Sequence, residues 1–415
     1  MITIPRAVSR KWLATALVLS TVACSDGFLK VTNPNVIDAA TVDPVTGAAT
    51  LSASAQQNFM TAYGWQIMYS SWMSGETLVV ETFPTRNEFG IRTVSDNNGN
   101  LNGDIWSPLS LAASSAKLVL DLTLPTPTTN INIARAATFR GFSILHLATD
   151  FCTGTLSSGP EFTTNQMLDS AVYWFTQGMT VGNANGSADG KALATAALVG
   201  RARSYLQKGS MALATADANA VPAAFVFNLN YQDDLSNRTR LGNRLWQFTF
   251  DRGSIAVAPA YQVGDPRVTY LTPAASPPPF DASLTAFMFA QQKYPGFASP
   301  IRVASKMEAD YIAAEASGDP VVELALINRQ RLANGRPAYA GPVDAPSVLT
   351  ELFNQRGLEF YLEGKRLADL RRQPAATLNV PPTGGTYFKP GFPPIGNQTC
   401  YPIPRAERDN NPNMK

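Results

Sequence analysis

Apolar side chains recur three and four positions apart through much of this chain, and that period predicts helices. Over 51–80, Phe59, Tyr63, Gln66, Ile67 and Ser70 or Ser71 fall on one face. The stretch TFPTRNEFGIRTVSDNNGNLNGD (82–104) breaks the period with Pro84, Gly90 and a cluster of Asn and Gly, and predicts a loop. A second helix is expected from Ile105 towards Leu122, and a third from Ile133 to Asp150, with Phe139, Phe142, Leu145, His146 and Thr149 along one side. Residues 188–221 predict a helical hairpin turning at Gly209. The spacing of Ala202, Tyr205, Gly209, Ala214 and Ala218 matches a tetratricopeptide hairpin, although a generic hairpin fits it too.

From 226 to 300 the pattern changes to Pro, aromatic and β-branched residues, which predicts irregular structure with short strands. Helices are expected again over 302–317, from Pro320 onward, and from about Ala345 to Arg372, Pro320 suiting a first helical turn. In the last of these, Leu349, Leu352, Phe353, Gly357, Phe360, Gly364 and Leu367 form an apolar stripe thinned by glycines, so that another helix can approach. Arg356 with Glu359, Lys365 and Arg366 with Asp369, and Asp369 with Arg372 stand at ion-pair spacings. Each acid has a basic neighbour, which lowers its pKa; a general acid needs the opposite, so Arg356, Glu359, Glu363, Arg366, Asp369 and Arg372 are read as a structural ion-pair network.

The N-terminus adds a different signal. Arg6, Arg10 and Lys11 precede a mostly apolar run from Trp12 to Val22, the form of an export signal and too short to span a membrane. Ala23 directly before Cys24 fits a lipoprotein signal, whose cysteine is acylated, although Thr21 stands where such signals usually carry Leu. An ordinary secretory cleavage site is the alternative. The polar, turn-rich SDGFLKVTNPN that follows suits a tether. Lipidation would hold the protein on a membrane surface without spanning it.

Composition narrows the chemistry. The chain has 415 residues, 45% hydrophobic and only 15% charged, enough for a sizeable core. A net charge of +2 from 33 basic and 31 acidic residues gives no basic footprint for nucleic acid. There is one histidine, His146, within an expected helix, and no nucleophile elbow, P-loop or Cys/His cluster at zinc spacing, so neither a catalytic residue nor a cofactor nor a metal site is expected. SDNNGNLNGD (95–104) has oxygen-rich character, but its first Gly comes too early and Ser107 stands where an EF-hand needs Glu. GNANGSADG (182–190) reads as a flexible turn. With Cys24 acylated, Cys152 and Cys400 remain as either a disulfide or two buried thiols.

INRQRLANG, a spacer, LTELFNQRGLEFYLEGKRLADLRR and a closing YPIPRAERDNNPNMK together resemble the C-terminal signature of the SusD/RagB family of outer-membrane nutrient-binding lipoproteins. GDPR (264–267), ADYIAAEA (309–316) and RAATFRGFSILHLATDF (135–151) resemble further landmarks of that family, with His146 and Cys152 as departures. The resemblance implies a mainly α protein: tetratricopeptide-like helical hairpins forming an α-superhelix, with a loop-rich half carrying the ligand site. It divides the chain into a signal peptide (1–23), lipidated tether (24–36), N-terminal helical region (37–225), irregular region (226–300) and C-terminal helical region (301–415). It also implies a non-enzymatic, cell-surface lipoprotein that captures oligosaccharides or peptides and delivers them to a SusC-like TonB-dependent barrel, held in outer-membrane lipid through acylated Cys24.

For a glycan ligand, flat aromatic rings would meet the apolar sugar faces and Asn or Arg the hydroxyl rim. The expected contact residues are Arg86, Asn87, Phe89 and Arg92 in the loop after the first helix, with Trp65, Trp72 and Trp246; Tyr69, Tyr231 and Tyr294 are further aromatic candidates. A structural lipoprotein organising an envelope complex is the competing reading. A glycoside hydrolase would need two carboxylates about 5–10 Å apart in a cleft.

Overall fold

The computed structural model describes residues 43–377 and 380–414. The signal peptide, Cys24 and the tether lie outside the described residues. The chain opens with α1 (Pro44–Met73), followed by β1 (Thr77–Val79), α2 (Pro84–Ile91), a π-helical turn over Leu101–Trp106, α3 (Ser107–Leu120) and α4 (Ile131–Asp150). After the short strands β2 (Thr153–Gly154) and β3 (Phe162–Thr163) come α5 (Thr164–Asn185), α6 (Ala188–Gln207) and α7 (Met211–Asn219). Each of these helices packs on its sequence neighbour, giving a layered series of antiparallel helices in which α1, α3 and α4 pack together and α4–α5, α5–α6 and α6–α7 follow as successive hairpins.

Local chemistry sets the boundaries. Thr163 and Gln166 form a reciprocal capping box at the start of α5, and the side chains of Asn130 and Ser187 cap α4 and α6. The layers approach closely because two glycines make room for one ring. A Cβ at Gly141 in α4 would lie 2.7 Å from Phe175, and one at Gly200 in α6 would collide with the same ring, so Phe175 of α5 is clasped between its neighbours. The residues 182–190, expected as a flexible turn, are the end of α5, Gly186 in the left-handed region (φ 75°) and the start of α6.

Beyond α7 lie β4 (Val226–Leu229), the short helices α8 (Arg238–Leu241) and α9 (Arg244–Trp246), a π-helical turn over Gln247–Asp251, β5 (Ile255–Val257) and 3-10 turns at Pro259–Tyr261 and Ala282–Phe287. Then follow β6 (Ile301–Ser305), α10 (Lys306–Ser317), α11 (Pro320–Ala333), α12 (Ala345–Glu359), α13 (Arg366–Arg372) and α14 (Arg405–Asn410). The strands are fasteners: β1 pairs with β5, β2 with β3, and β4 with β6, all antiparallel. Within the described residues no helix is long and apolar enough to cross a membrane.

Three boundaries differ from expectation. Residues 302–305 are strand, because β4 supplies them with backbone partners before the Ser305 side chain caps α10. The expected helix over 345–372 is two, broken at 360–365, where Leu362 (φ 54°) and Gly364 (φ 65°) take left-handed conformations. A Cβ at Gly364 would strike the Gln66 side-chain oxygen, so the break lets this turn dock on α1. The expected loop over 82–104 contains α2, started by Pro84 in its first turn and closed by Arg92 at φ 60°.

The last stretch returns to the middle of the chain. Cys152 and Cys400 form a disulfide with Cα atoms 5.1 Å apart. Tyr401 donates its N–H to the Asp150 carbonyl at 2.7 Å and accepts from the Cys152 N–H at 2.9 Å. Its buried ring packs against Phe89 and Phe151, both at 5.4 Å between centroids.

Candidate functional site

The two π-helical turns face the same flank of α1. An extra residue in a helical turn re-aims the side chains around it. In the first, Asp104 accepts from the Tyr69 hydroxyl at 2.5 Å and from Asn100 Nδ2 at 2.8 Å. In the second, buried Phe248 presents its edge to Trp65 of α1, with centroids 5.1 Å apart. Three guanidinium groups surround Phe248: Arg86 at 5.0 Å, Arg252 at 5.1 Å and Arg244 at 5.9 Å from its centroid. Arg244 also covers the half-buried Trp65 ring at 4.3 Å.

The cluster continues to the surface on two sides. Trp246 stacks on Phe250 at 5.7 Å and meets Phe297 at 4.4 Å, where Arg238 lies over the Phe297 ring. On the other side Arg252 reaches Phe280, which is 45% exposed and 5.2 Å from Phe83, itself 41% exposed. Arg244 donates to Gln247 Oε1 at 2.6 Å and to the Thr239 carbonyl. Neither Arg244 nor Arg252 has a carboxylate within ion-pair distance among the described residues. Burial lowers the Arg244 pKa to about 10, with Asp104 pulling the other way, so it is cationic at neutral pH.

One helical turn before Trp65, a groove of about 520 Å³ runs between α1, α3 and α8, with Asn58, Thr61, Ser107, Leu111 and Arg240 on its walls. Leu111 is 56% exposed. A second, apolar cavity of about 340 Å³ lies beside the β1–β5 pair, bounded by Trp72, Leu78, Val79, Pro381, Tyr387 and Phe388.

Of the expected contact residues, the structure therefore brings Trp65 and Trp246 into the arginine–aromatic cluster and puts Trp72 on the wall of the apolar cavity. The four from the expected loop sit otherwise. Asn87 and Phe89 have no exposed surface; Asn87 donates to the carbonyls of Glu81 and Phe83, and Phe89 packs on Tyr69 and Tyr401. Arg92 is buried against the carbonyls of Gln398 and Pro381. Arg86 grips Glu81 through Nη1 at 2.6 Å from both carboxylate oxygens, while its guanidinium forms part of the wall around Phe248. The difference has a physical cause: α2 turns these side chains inward, and Asn87, Phe89 and Arg92 meet Tyr387, Tyr401 and Gln398, about 300 residues away in the chain, which no local pattern reveals. Tyr231 and Tyr294 are likewise buried, donating to the carbonyls of Met60 and Leu362. Phe83, Phe248, Arg244, Arg252 and Phe280 join the cluster without being among the expected contact residues. The aromatic-rich composition of 226–300 was the only sequence signal for most of them.

The charged network is buried and reaches beyond the helix in which it was expected. Asp369 accepts from Arg356 at 2.8 Å and Arg372 at 3.1 Å, and Arg372 also holds Glu315 at 2.7 Å. Glu359 pairs with Arg302 at 3.0 Å instead of with Arg356. Glu363 is held by Lys293, Arg302 and Lys365 at 2.8, 2.9 and 3.2 Å. Burial alone would raise its pKa, but these three cations hold it well below the usual carboxylate range. Arg366 Nη1 donates to the Phe353 carbonyl at 3.1 Å. Burial pushes the His146 pKa down, with Arg203 and Lys365 adding to the effect, so the imidazole is neutral between Phe59 and Tyr63. Among the described residues no group of three or more His, Cys, Asp or Glu could hold a metal ion.

This helical-hairpin scaffold, fastened by short strands to a loop-rich half, is shared with known proteins. The model of the SusD family matches residues 327–415. A SusD-like carbohydrate-binding protein from Bacteroides vulgatus superposes with a TM-score of 0.66 at 16% identity, covering 89% of this chain and 97% of that one. A SusD superfamily protein from Parabacteroides distasonis gives 0.62 at 15% identity, with 89% and 98% covered. A laminarin-binding SusD-like protein gives 0.63 at 16% identity, with 87% and 96% covered. No curated protein matches the chain. The C-terminal stretch thus matches the SusD family model, and the fold is shared with SusD-like structures over most of the length.

Proposed function

We propose that this protein is a non-enzymatic, cell-envelope binding protein that captures oligosaccharides along the Trp65–Trp246–Phe280 face. The observation that carries this reading is the set of half-buried and exposed rings held by Arg244 and Arg252, neither of which is neutralised by a carboxylate. Flat apolar rings suit the C–H faces of sugars, and guanidinium donors suit their hydroxyls. The adjoining groove, with Asn58, Thr61 and Ser107, gives neutral donors and acceptors for further sugar units. The carbohydrate-binding and laminarin-binding SusD-like structures support a glycan over a peptide.

In this reading residues 1–23 are a signal peptide, acylated Cys24 anchors the chain in outer-membrane lipid through the tether 24–36, and the captured ligand passes to a SusC-like TonB-dependent barrel. Titration calorimetry with neutral oligosaccharides, laminarin fragments among them, and with peptides of similar length tests the binding step. Saturable heat with a glycan, lost in Trp65→Ala, is the expected result; heat with peptides alone would replace the ligand class. Gentle solubilisation of the native membrane and capture of the protein tests the partner. A TonB-dependent barrel recovered at near-equal amount supports delivery, whereas recovery of assembly components alone supports a structural lipoprotein organising an envelope complex.

A further inference from the structure

A second cleft, of about 560 Å³, opens between the turn at Pro259–Tyr261, the end of α11 and the middle of α12. Its chemistry is unlike that of the aromatic face. Arg331, Arg336 and Arg366 line it, with Asp265 as the one acidic residue on its wall. Asp265 is already engaged: Arg267 donates to Oδ1 from Nε at 2.9 Å and to Oδ2 from Nη2 at 2.9 Å, and the Arg267 backbone N–H adds a third bond at 3.0 Å. Behind the wall, Glu351 accepts from Arg331 at 2.6 Å and from Gln355 and Asn354 at 2.7 and 3.1 Å. The two carboxylates are thus balanced by Arg267 and Arg331, and the charge of Arg336 remains in excess at the cleft.

Arg336 is well placed to act. Its side chain is 40% exposed, donates to the Val263 carbonyl at 3.1 Å and lies 3.7 Å from Asp265, longer than a hydrogen bond. The floor contributes a second, independent feature. Tyr261 is 3% exposed, yet among the described residues its hydroxyl has no hydrogen-bond partner. A buried hydroxyl without a partner is destabilising unless a ligand supplies one. The residue opposite it is Gly357, where an added Cβ would stand 3.2 Å from the Tyr261 oxygen and 2.9 Å from Arg366 Nη1; the missing side chain keeps that space open.

We propose that this cleft binds an oxyanion, a carboxylate or sulfate group, between Arg336 and the Tyr261 hydroxyl. The group can arrive as a free inorganic anion or as the acidic substituent of a sugar. The site is separate in composition from the aromatic face and does not depend on that face binding glycan. Guanidinium forks suit both groups, and the tyrosine hydroxyl gives a neutral donor beside them.

Thermal-shift and calorimetric titrations at constant ionic strength, with chloride as reference, test it using sulfate, galacturonate and galactose. The expected result is a saturable rise in melting temperature with sulfate or galacturonate and none with galactose. A response to sulfate alone assigns an inorganic-anion site, and a response to galacturonate assigns an acidic-sugar site. Arg336→Gln, at an exposed position, is expected to weaken binding about tenfold or more, since a charge-assisted bond is lost. Tyr261→Phe is expected to leave the anion-free melting temperature equal or higher while weakening binding severalfold. A purely structural tyrosine would not give that combination. No saturable response, or equal responses in wild type and Arg336→Gln, overturns the proposal. Binding of neutral glycan by Arg336→Gln would be unchanged, which separates this outcome from failure of the aromatic site.

Discussion

Arg203 of α6 and Glu308 of α10, 105 residues apart, meet through two hydrogen bonds of 2.5 and 2.8 Å with both side chains buried. The same guanidinium donates to the Val303 carbonyl of β6 at 2.9 Å, so one arginine joins the first-half hairpins to the strand and helix of the second half. Removing Arg203 leaves buried Glu308 with only Lys365, at the longer distance of 3.7 Å. Arg203→Met is expected to lower the unfolding free energy by about 3–5 kcal/mol, measured by denaturant titration, and Arg203→Met with Glu308→Leu by less than the single change.

The disulfide closes a loop with a sequence separation of 248 between its cysteines. Cross-linking so long a loop restricts the unfolded chain strongly. Reduction, or Cys400→Ser, is expected to cost about 2–5 kcal/mol, seen as a lower melting temperature with dithiothreitol and no such drop in the variant.

Trp65 and Phe89 should separate binding from stability. Trp65→Ala removes a half-buried ring under Arg244 and is expected to weaken glycan binding by about tenfold or more while the protein still folds. Phe89→Ala empties a fully buried position between Tyr69 and Tyr401 and is expected to cost about 3–5 kcal/mol of stability. A folded Phe89→Ala protein with normal stability and lost affinity would reverse these assignments.

Acid–base behaviour follows from Glu76. Burial raises its pKa to about 7, partly offset by the Leu362 N–H that it accepts at 3.0 Å. A carboxyl whose folded pKa lies above its unfolded value binds protons more tightly when folded, so its contribution declines as pH rises from about 4.5 to about 7. Asp150, also raised to about 7 by burial, acts in the same sense over a window that begins near 4. His146 acts in the opposite sense: its depressed pKa adds stability as pH rises towards about 6.5. The test is a difference: stability of wild type minus Glu76→Gln should fall between pH 5 and 7. A flat difference would place Glu76 outside this window.

Sequence pattern located α1, α3, α4 and the α6–α7 hairpin because their helical period is local and their ends carry Ser, Asn or Gly signals. It also paired Asp369 with Arg372, one helical turn apart. It missed what distance in the chain decides. Glu359 and Glu363 turn to Arg302 because the chain breaks at Leu362 and Gly364, and the break is set by docking on Gln66 of α1. Asn87 and Phe89 read as binding-loop residues because Tyr387 and Tyr401, which enclose them, lie about 300 residues further on. At the aromatic face, Trp65 and Trp246 were readable as aromatic candidates, but the choice between core and surface rests on Phe248, whose aim is set by a π-helical turn that has no periodic signature.

The return of the C-terminal stretch to the first half has a consequence for the order of assembly. Gln398 bonds to Arg92 and Val94, Tyr401 fills the space beside Phe89 and Phe151, and Glu407 accepts from Trp106 and Thr155. A nascent chain emerging from its N-terminus therefore holds α2 and the end of α4 without their covering residues until residues 398–407 are delivered. Closure over some 250 to 300 residues is slow, because its entropy must be met before the contacts form. Loss of residues 401–415 would take the Tyr401 ring from Phe89 and Phe151 and leave a sticky surface for proteases and chaperones to find.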